Sequence, residues 1–127
     1  MSREILFRGK RVEDGKWLYG YYSDEQAEDT DFPCIVPLEP DPDYDWEVDP
    51  ETVGQYTGLK DKNGKKIFEG DIVRDDDGDV MMVKWLTEGA VFVLEPNPYV
   101  SVHFYPTLPS RIEVIGNIYD NRELLKE

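Results

Sequence analysis

Turn-forming residues recur through the centre of this chain at intervals too short for helices. Between Val53 and Val73, the sequence VGQYTGLKDKNGKKIFEGDIV contains four glycines and an Asn63-Gly64 pair, which separate runs of β-branched and aromatic residues. This pattern predicts short strands joined by tight turns. Because asparagine and glycine both tolerate positive φ, the Asn63-Gly64 pair predicts a type I′ turn.

The flanking sequence continues the alternation of strands and turns. Residues 5–12 and 16–22 are rich in β-formers and flank Asp14-Gly15, which predicts a hairpin. One face of its second strand carries three aromatic residues, Trp17, Tyr19 and Tyr21. Gly20, on the other face, predicts a bulge or a close backbone contact. Further strands are predicted over residues 80–85, 90–94, 99–105 and 111–118.

Only the C-terminal tail carries a helix signal. Asp120 and Glu123 have the spacing of a capping box and are followed by two leucines, which predicts a short C-terminal helix. Short strands with turns about every ten residues predict an all-β fold, which we interpret as a small SH3-like barrel elaboration of antiparallel strands. A length of 127 residues fits a single domain over residues 1–127.

Composition excludes several classes of protein. One cysteine, Cys34, cannot form an intramolecular disulfide, and one histidine, His103, leaves too few ligands for a zinc site. The sequence contains no apolar run of the roughly 20 residues that a membrane helix requires, and we expect a cytoplasmic protein without a membrane partner. A formal net charge of -14 argues against direct binding to nucleic acid or anionic lipid, since both need basic side chains.

The negative charge is concentrated in one segment. Residues 17–59 contain 12 acidic and no basic residues, whereas the remaining chain has 16 acidic and 14 basic residues. Within an acidic, proline-rich stretch, residues 24–51, carboxylates occupy every odd position from Glu39 to Glu51. In a strand these seven acids would line one side. They would protect a sheet edge from pairing or, alternatively, imitate the backbone of a nucleic acid toward a basic partner.

Signals for catalysis or metal binding are weak. Cys34 lies between Pro33 and Ile35, among apolar neighbours that raise a thiol pKa, which favours a buried structural cysteine over a nucleophile paired with His103. The run Asp75–Asp79 could collect oxygen ligands for Ca²⁺ but does not match the EF-hand loop, and a solvated hairpin turn explains it better.

The common catalytic and cofactor motifs do not occur in the sequence. It contains no GxxxxGK[ST], GxGxxG or GxSxG pattern, so we predict a non-enzymatic protein without cofactor, catalytic residues or bound metal. Four lysines cluster around the predicted Asn63-Gly64 turn, and they offer a weak nucleic-acid-binding module as one alternative: Lys60, Lys62, Lys65 and Lys66.

Three stretches of the chain can be considered together: VDPETVGQYTGLKDKNGKKIFEGDIV in the centre, ILFRGKRVEDGKWLYGYY near the start and IEVIGNIYDNRELL near the end. They resemble the YopX family of bacteriophage and prophage proteins, the central stretch most strongly. The resemblance covers the whole chain. It implies an all-β, SH3-like phage or prophage protein that acts in the bacterial cytoplasm and forms oligomers, but it implies no activity.

These observations lead to one leading function and two alternatives. We expect a protein that acts through self-association or through contacts with a host or phage protein. The alternatives are an acidic nucleic-acid mimic, which blocks a host DNA-binding or defence protein, and the lysine-based nucleic-acid binder. The candidate interaction surface combines acids of the alternating row with polar residues of the central motif: Asp41, Asp43, Asp45, Glu47, Asp49, Thr52, Gln55 and Thr57. Hydrogen-bonding of turns is the alternative role for the polar residues.

Overall fold

Ten antiparallel strands are found among the residues that the structure describes. The computed structural model describes residues 4–23, 33–37, 46–95, 97–101 and 109–125. The strands are β1 Phe7–Lys10, β2 Trp17–Ser23, β3 Cys34–Pro37, β4 Gly54–Lys60, β5 Lys66–Phe68, β6 Asp71–Asp75, β7 Val80–Leu86, β8 Val91–Glu95, β9 Asn97–Ser101 and β10 Ile112–Asn117. The predicted all-β class is therefore confirmed. The chain divides into two compact units, Met1–Tyr56 and Thr57–Glu127.

The first unit is built on a sheet in the order β3-β2-β1-β4. The predicted hairpin of β1 and β2 is confirmed. So is the close contact at Gly20, where an added Cβ would lie 1.9 Å from the carbonyl oxygen of Val36. Only glycine lets β3 approach β2 this closely. The buried side chains of this unit include Leu6, Ile35, Val48 and Tyr56.

The described end of the alternating acidic row is not a free edge. Residues 46–49 hydrogen-bond on one side to the end of β1, through Lys10 O and Val12 N, and on the other to Pro33 O and Ile35 N. The protected-edge interpretation is therefore wrong for these four residues. The reason is that the chain returns between β3 and the β1–β2 hairpin, where both sides find backbone partners. Residues 38–45 lie outside the described residues.

The strand-like alternation stops at Asp49. Pro50–Thr52 form a 3-10 turn, in which the Asp49 side chain accepts a hydrogen bond from Glu51 N. A proline at the first position suits this turn because its fixed φ is compatible with helical geometry and it has no N–H to satisfy. Seven carboxylates therefore do not form one continuous line along a strand, since Glu51 lies in a turn.

The second unit contains a five-stranded sheet in the order β10-β6-β7-β8-β9. β4 continues into this unit and pairs there with β5. The core is one cluster of buried residues, Ile67, Val73, Val83, Phe92, Leu94, Ile112 and Val114, with Leu59 and Met81 packed against it. Ile67 and Val73 both come from the turn-rich central sequence between Val53 and Val73. Among the described residues both sheets are open, and no strand pairing closes either of them into a barrel.

Two hairpins of the second unit share one turn geometry. In the 61–65 turn, Asp61 N donates to Lys65 O and Gly64 N to Asp61 O, and the 75–79 turn repeats both bonds. The glycine of each turn has positive φ, 82° at Gly64 and 85° at Gly78. Asn63 does not have positive φ, so the predicted type I′ turn is wrong. A three-residue loop with glycine in the left-handed position replaces it, because Asp61 holds the turn through its side chain.

Two predicted elements near the C-terminus differ from the structure. The tail forms a 3-10 turn, Arg122–Leu125, instead of a helix. The predicted capping box fails because local backbone groups bind asparagine side chains instead: Asn117 Oδ1 accepts from Asp120 N, and Asn121 Oδ1 accepts from Asn117 N. The strand predicted over residues 99–105 is described as Asn97–Ser101, and residues 102–108 lie outside the described residues.

Candidate interaction surfaces

The acidic members of the predicted interaction surface are only partly described. Asp41, Asp43 and Asp45 lie outside the described residues. Glu47 is half-buried and forms an antiparallel bridge with Cys34. Asp49 is exposed, and its carboxylate is engaged at the start of the 3-10 turn. The two described acids therefore both have a place in the local backbone structure.

The polar members of that surface bind backbone groups. Thr52 is buried; its Oγ1 accepts from Lys10 N at 2.8 Å and donates to the carbonyl of Asp49 at 2.6 Å. Thr57 is also buried, and its Oγ1 accepts from Leu59 N. Gln55 is half-buried and pairs across the ladder with β1. The contacts of the two threonines match the alternative that short polar side chains hydrogen-bond turns.

Asp61 is a carboxylate of the central motif that binds three backbone N–H groups. It is 6% exposed, its Oδ1 accepts from Asn63 N and Lys65 N, and its Oδ2 accepts from Val114 N at 2.9 Å. It thus fixes the turn and joins it to β10. Burial, the largest single influence, would raise the pKa of Asp61, but the three backbone donors and the charge of Lys65 outweigh it, and the pKa is lowered.

Cys34 lacks the surroundings of a nucleophile. It is half-buried at the start of β3. Burial, and then the nearby Glu47 carboxylate, raise the pKa of the Cys34 thiol, which disfavours the reactive thiolate. His103, the base considered with it, lies outside the described residues.

Three carboxylates meet in the 75–79 turn. One oxygen each of Asp75, Asp77 and Asp79 lies within 4.8 Å of the others. Asp75 Oδ1 already accepts the backbone N–H groups of Asp77 and Asp79, as expected for a solvated turn. These contacts explain the cluster as a turn motif, in agreement with the sequence interpretation.

The lysine cluster around the 61–65 turn is exposed except for the half-buried Lys66, and it is partly paired. Lys62 Nζ lies 3.9 Å from the carboxylate of Glu113, which also contacts Arg74 at 3.5 Å. On the neighbouring turn, Arg111 pairs with Asp76. Exposed pairs of this kind contribute little stability, but they reduce the positive potential that a nucleic-acid backbone would meet.

The tyrosines that are exposed among the described side chains lie on β2. The side chains of Tyr19 and Tyr21 are 44% and 58% exposed and point to the same side of the strand as Trp17. We call these three residues the tyrosine face. The sequence showed their common face, but it could not show that this side remains open to solvent.

Basic residues of β1 support one end of the tyrosine face. Arg8 pairs across the ladder with Tyr19, and Lys10 with Trp17. The Arg8 guanidinium lies 4.7 Å from the centre of the Trp17 ring, and Lys10 Nζ lies 5.8 Å from it. These distances fit cation–π contacts, which restrict the indole and hold the two cations against an aromatic surface.

Comparison with known proteins gives a family. A family model described as YopX protein matches residues 6–126. The chain belongs to the YopX family. No curated protein matches it. Among solved structures, the crystal structure of protein EF1440 from Enterococcus faecalis is similar, with a TM-score of 0.62 and 25% identity, over 98% of this chain and 100% of that one. Among the described residues, no helix is long and apolar enough to cross a membrane.

Proposed function

We propose that this YopX-family protein is a non-enzymatic phage or prophage protein of the bacterial cytoplasm that acts by self-association and by contacts with other proteins. The family resemblance supports the phage origin. For the second unit, the order β10-β6-β7-β8-β9 supports a relation to SH3-like barrels, in which short, strongly bent strands meander around one core.

One observation carries the proposal. Of the large hydrophobic side chains that are exposed among the described residues, most lie between Ile5 and Tyr22: Ile5, Val12, Tyr19, Tyr21 and Tyr22. Two of them, Tyr19 and Tyr21, lie on the same side of β2. Adjacent apolar exposure of this kind is typical of surfaces that bind other proteins, and tyrosine is enriched in such surfaces because its ring is apolar and its hydroxyl is polar.

The proposal is tested by measuring the mass of the purified full chain. Light scattering after size exclusion, at several protein concentrations and at low and high salt, should show an oligomer that persists in high salt. Salt should not dissociate it, because apolar contacts are not screened and screening weakens the mutual repulsion of chains with a net charge of -14. A monomer at every concentration would contradict self-association.

A second candidate function rests on the segregation of charge. The 12 acids without a basic residue in residues 17–59 support a nucleic-acid mimic that blocks a host DNA-binding or defence protein. A partner captured from host extract should then be released by salt. Replacement of Asp41, Asp43, Asp45 and Glu47 by Asn or Gln should abolish its capture, and capture that survives these replacements would exclude mimicry through this row.

A further inference from the structure

We infer that the tyrosine face, Trp17, Tyr19 and Tyr21, is the surface on which a second copy of this chain docks. This inference rests on the proposed self-association and names its site. The face offers two strongly exposed tyrosines one strand period apart, about 6.6 to 6.8 Å along the strand. Such flat amphipathic rings bury much area at a low cost in side-chain entropy.

The distribution of charge along the chain favours a second copy of this chain as the molecule that docks on the tyrosine face. Two identical surfaces can meet in a two-fold contact only if the surface does not repel itself. The net charge of -14 makes most approaches of two chains unfavourable. The described segment 4–23, which carries the tyrosine face, has four basic and three acidic residues and is nearly neutral. Here two copies can approach without the repulsion that the acidic segment would cause.

The positive charge beside the face is also compatible with such a contact. Arg8 is 5% exposed and stacked on Trp17, and Lys10 is half-buried over the same ring. Both cations are therefore positioned before any partner arrives. The ordered indole reduces the entropy that docking must overcome, since less side-chain freedom remains to be lost.

The neighbouring edge does not offer an easy alternative by strand addition. In β3, alternate residues direct their backbone groups away from β2. Ile35 N already donates to Trp46 O, and Pro37 has no N–H. On this side the described residues of β3 thus present no N–H for an incoming strand. Beside β3, association through the side-chain face is therefore favoured over strand addition.

The experiment compares the wild-type chain with a Tyr19→Thr/Tyr21→Thr variant. Threonine keeps a high strand propensity while it removes both rings. Sedimentation equilibrium and light scattering should show a dissociation constant raised by about tenfold or more, since buried tyrosines are common hot spots. Circular dichroism and urea unfolding must first show that the variant is folded.

A matched control replaces Tyr22, which is 39% exposed and lies on the opposite side of the same strand. Tyr22→Thr should leave the dissociation constant unchanged within about twofold, because it lies off the tyrosine face. A separate positive test uses Ser23→Cys, the next position on the same side of β2, in a Cys34→Ser background, which keeps both tyrosines. Oxidation should then give a disulfide-linked dimer when the two faces meet near a two-fold axis.

Each outcome has a distinct meaning. Suppose that the folded double variant still forms the oligomer and that the cysteine variant gives no cross-link. This result would overturn the docking surface but leave the proposed self-association intact. A wild-type monomer would overturn both. If that monomer binds a fluorescent single-stranded oligonucleotide through Tyr19 and Tyr21, the occupant is a nucleic acid and the inference is wrong.

Discussion

Substitution of Asp61 by asparagine tests how the second unit is held together. The asparagine Oδ1 can still accept from Asn63 N and Lys65 N, but its Nδ2 would face the Val114 N–H, so a donor would meet a donor. A buried unpaired N–H costs about 1–3 kcal/mol, and the loss of charge from the two remaining bonds adds about 1 kcal/mol. We expect Asp61→Asn to lower the free energy of unfolding by about 2–4 kcal/mol.

The chain provides a matched control for this substitution. Asp75 occupies the same position in the 75–79 turn, where Oδ1 accepts from Asp77 N and Asp79 N in an exposed setting. Asp75→Asn should therefore cost about 1 kcal/mol or less, since water can replace what it loses. Urea unfolding followed by tryptophan fluorescence and far-ultraviolet circular dichroism measures both variants. Equal losses for the two substitutions would refute a special role for the bond to Val114.

The same carboxylate predicts a dependence of stability on pH. Because the folded protein lowers the pKa of Asp61 from its usual 3.8, the carboxylate stabilises the fold fully at pH values above that usual value. The contribution is lost as the pH falls from there through the lowered folded pKa. The wild-type protein should thus lose more of its free energy of unfolding than Asp61→Asn when the pH is lowered below 5. Parallel pH profiles of the two proteins would show that the Asp61 carboxylate does not contribute this dependence.

Three further predictions concern the first unit. Gly20→Ala should destabilise it by about 2–4 kcal/mol in urea unfolding, because the new Cβ overlaps the Val36 carbonyl, whereas Gly15→Ala, with positive φ but free space, should cost about 1 kcal/mol. Thr52→Val removes the acceptor for the N–H at the end of β1 and should cost about 1–3 kcal/mol by the same assay. Since the pKa of the Cys34 thiol is raised, iodoacetamide should modify Cys34 more slowly in the folded than in the unfolded chain at neutral pH, and equal rates would contradict this.

Local patterns allowed much of the fold to be predicted. The hairpin of β1 and β2, the close approach at Gly20 and the paired strands β7 and β8 follow from alternation and turn chemistry within about 20 residues. The predictions that failed concern elements whose geometry depends on residues distant in the sequence. The 61–65 turn departs from type I′ because the Asp61 side chain, bound to a strand 53 residues away, stabilises another geometry.

The interaction surfaces were less predictable for a related reason. Alternation assigns residues to faces, but it does not show which face another element covers. Thr52 and Thr57 looked available in the sequence and are buried, while Tyr19 and Tyr21, which the sequence placed only on a common face, are exposed. The row of acids was equally ambiguous, because residues 46–49 are paired on both sides by segments that are distant in sequence.

The position of β10 beside β6 has a consequence for synthesis. β10 is the last strand among the described residues, yet it pairs with β6, and its Ile112 and Val114 complete the buried cluster. A nascent chain that has reached only β9 therefore lacks both these residues and the partner for one edge of β6. The second unit can complete its core only after residue 117 has been added, so a ribosome that stalls earlier leaves an apolar edge exposed to aggregation.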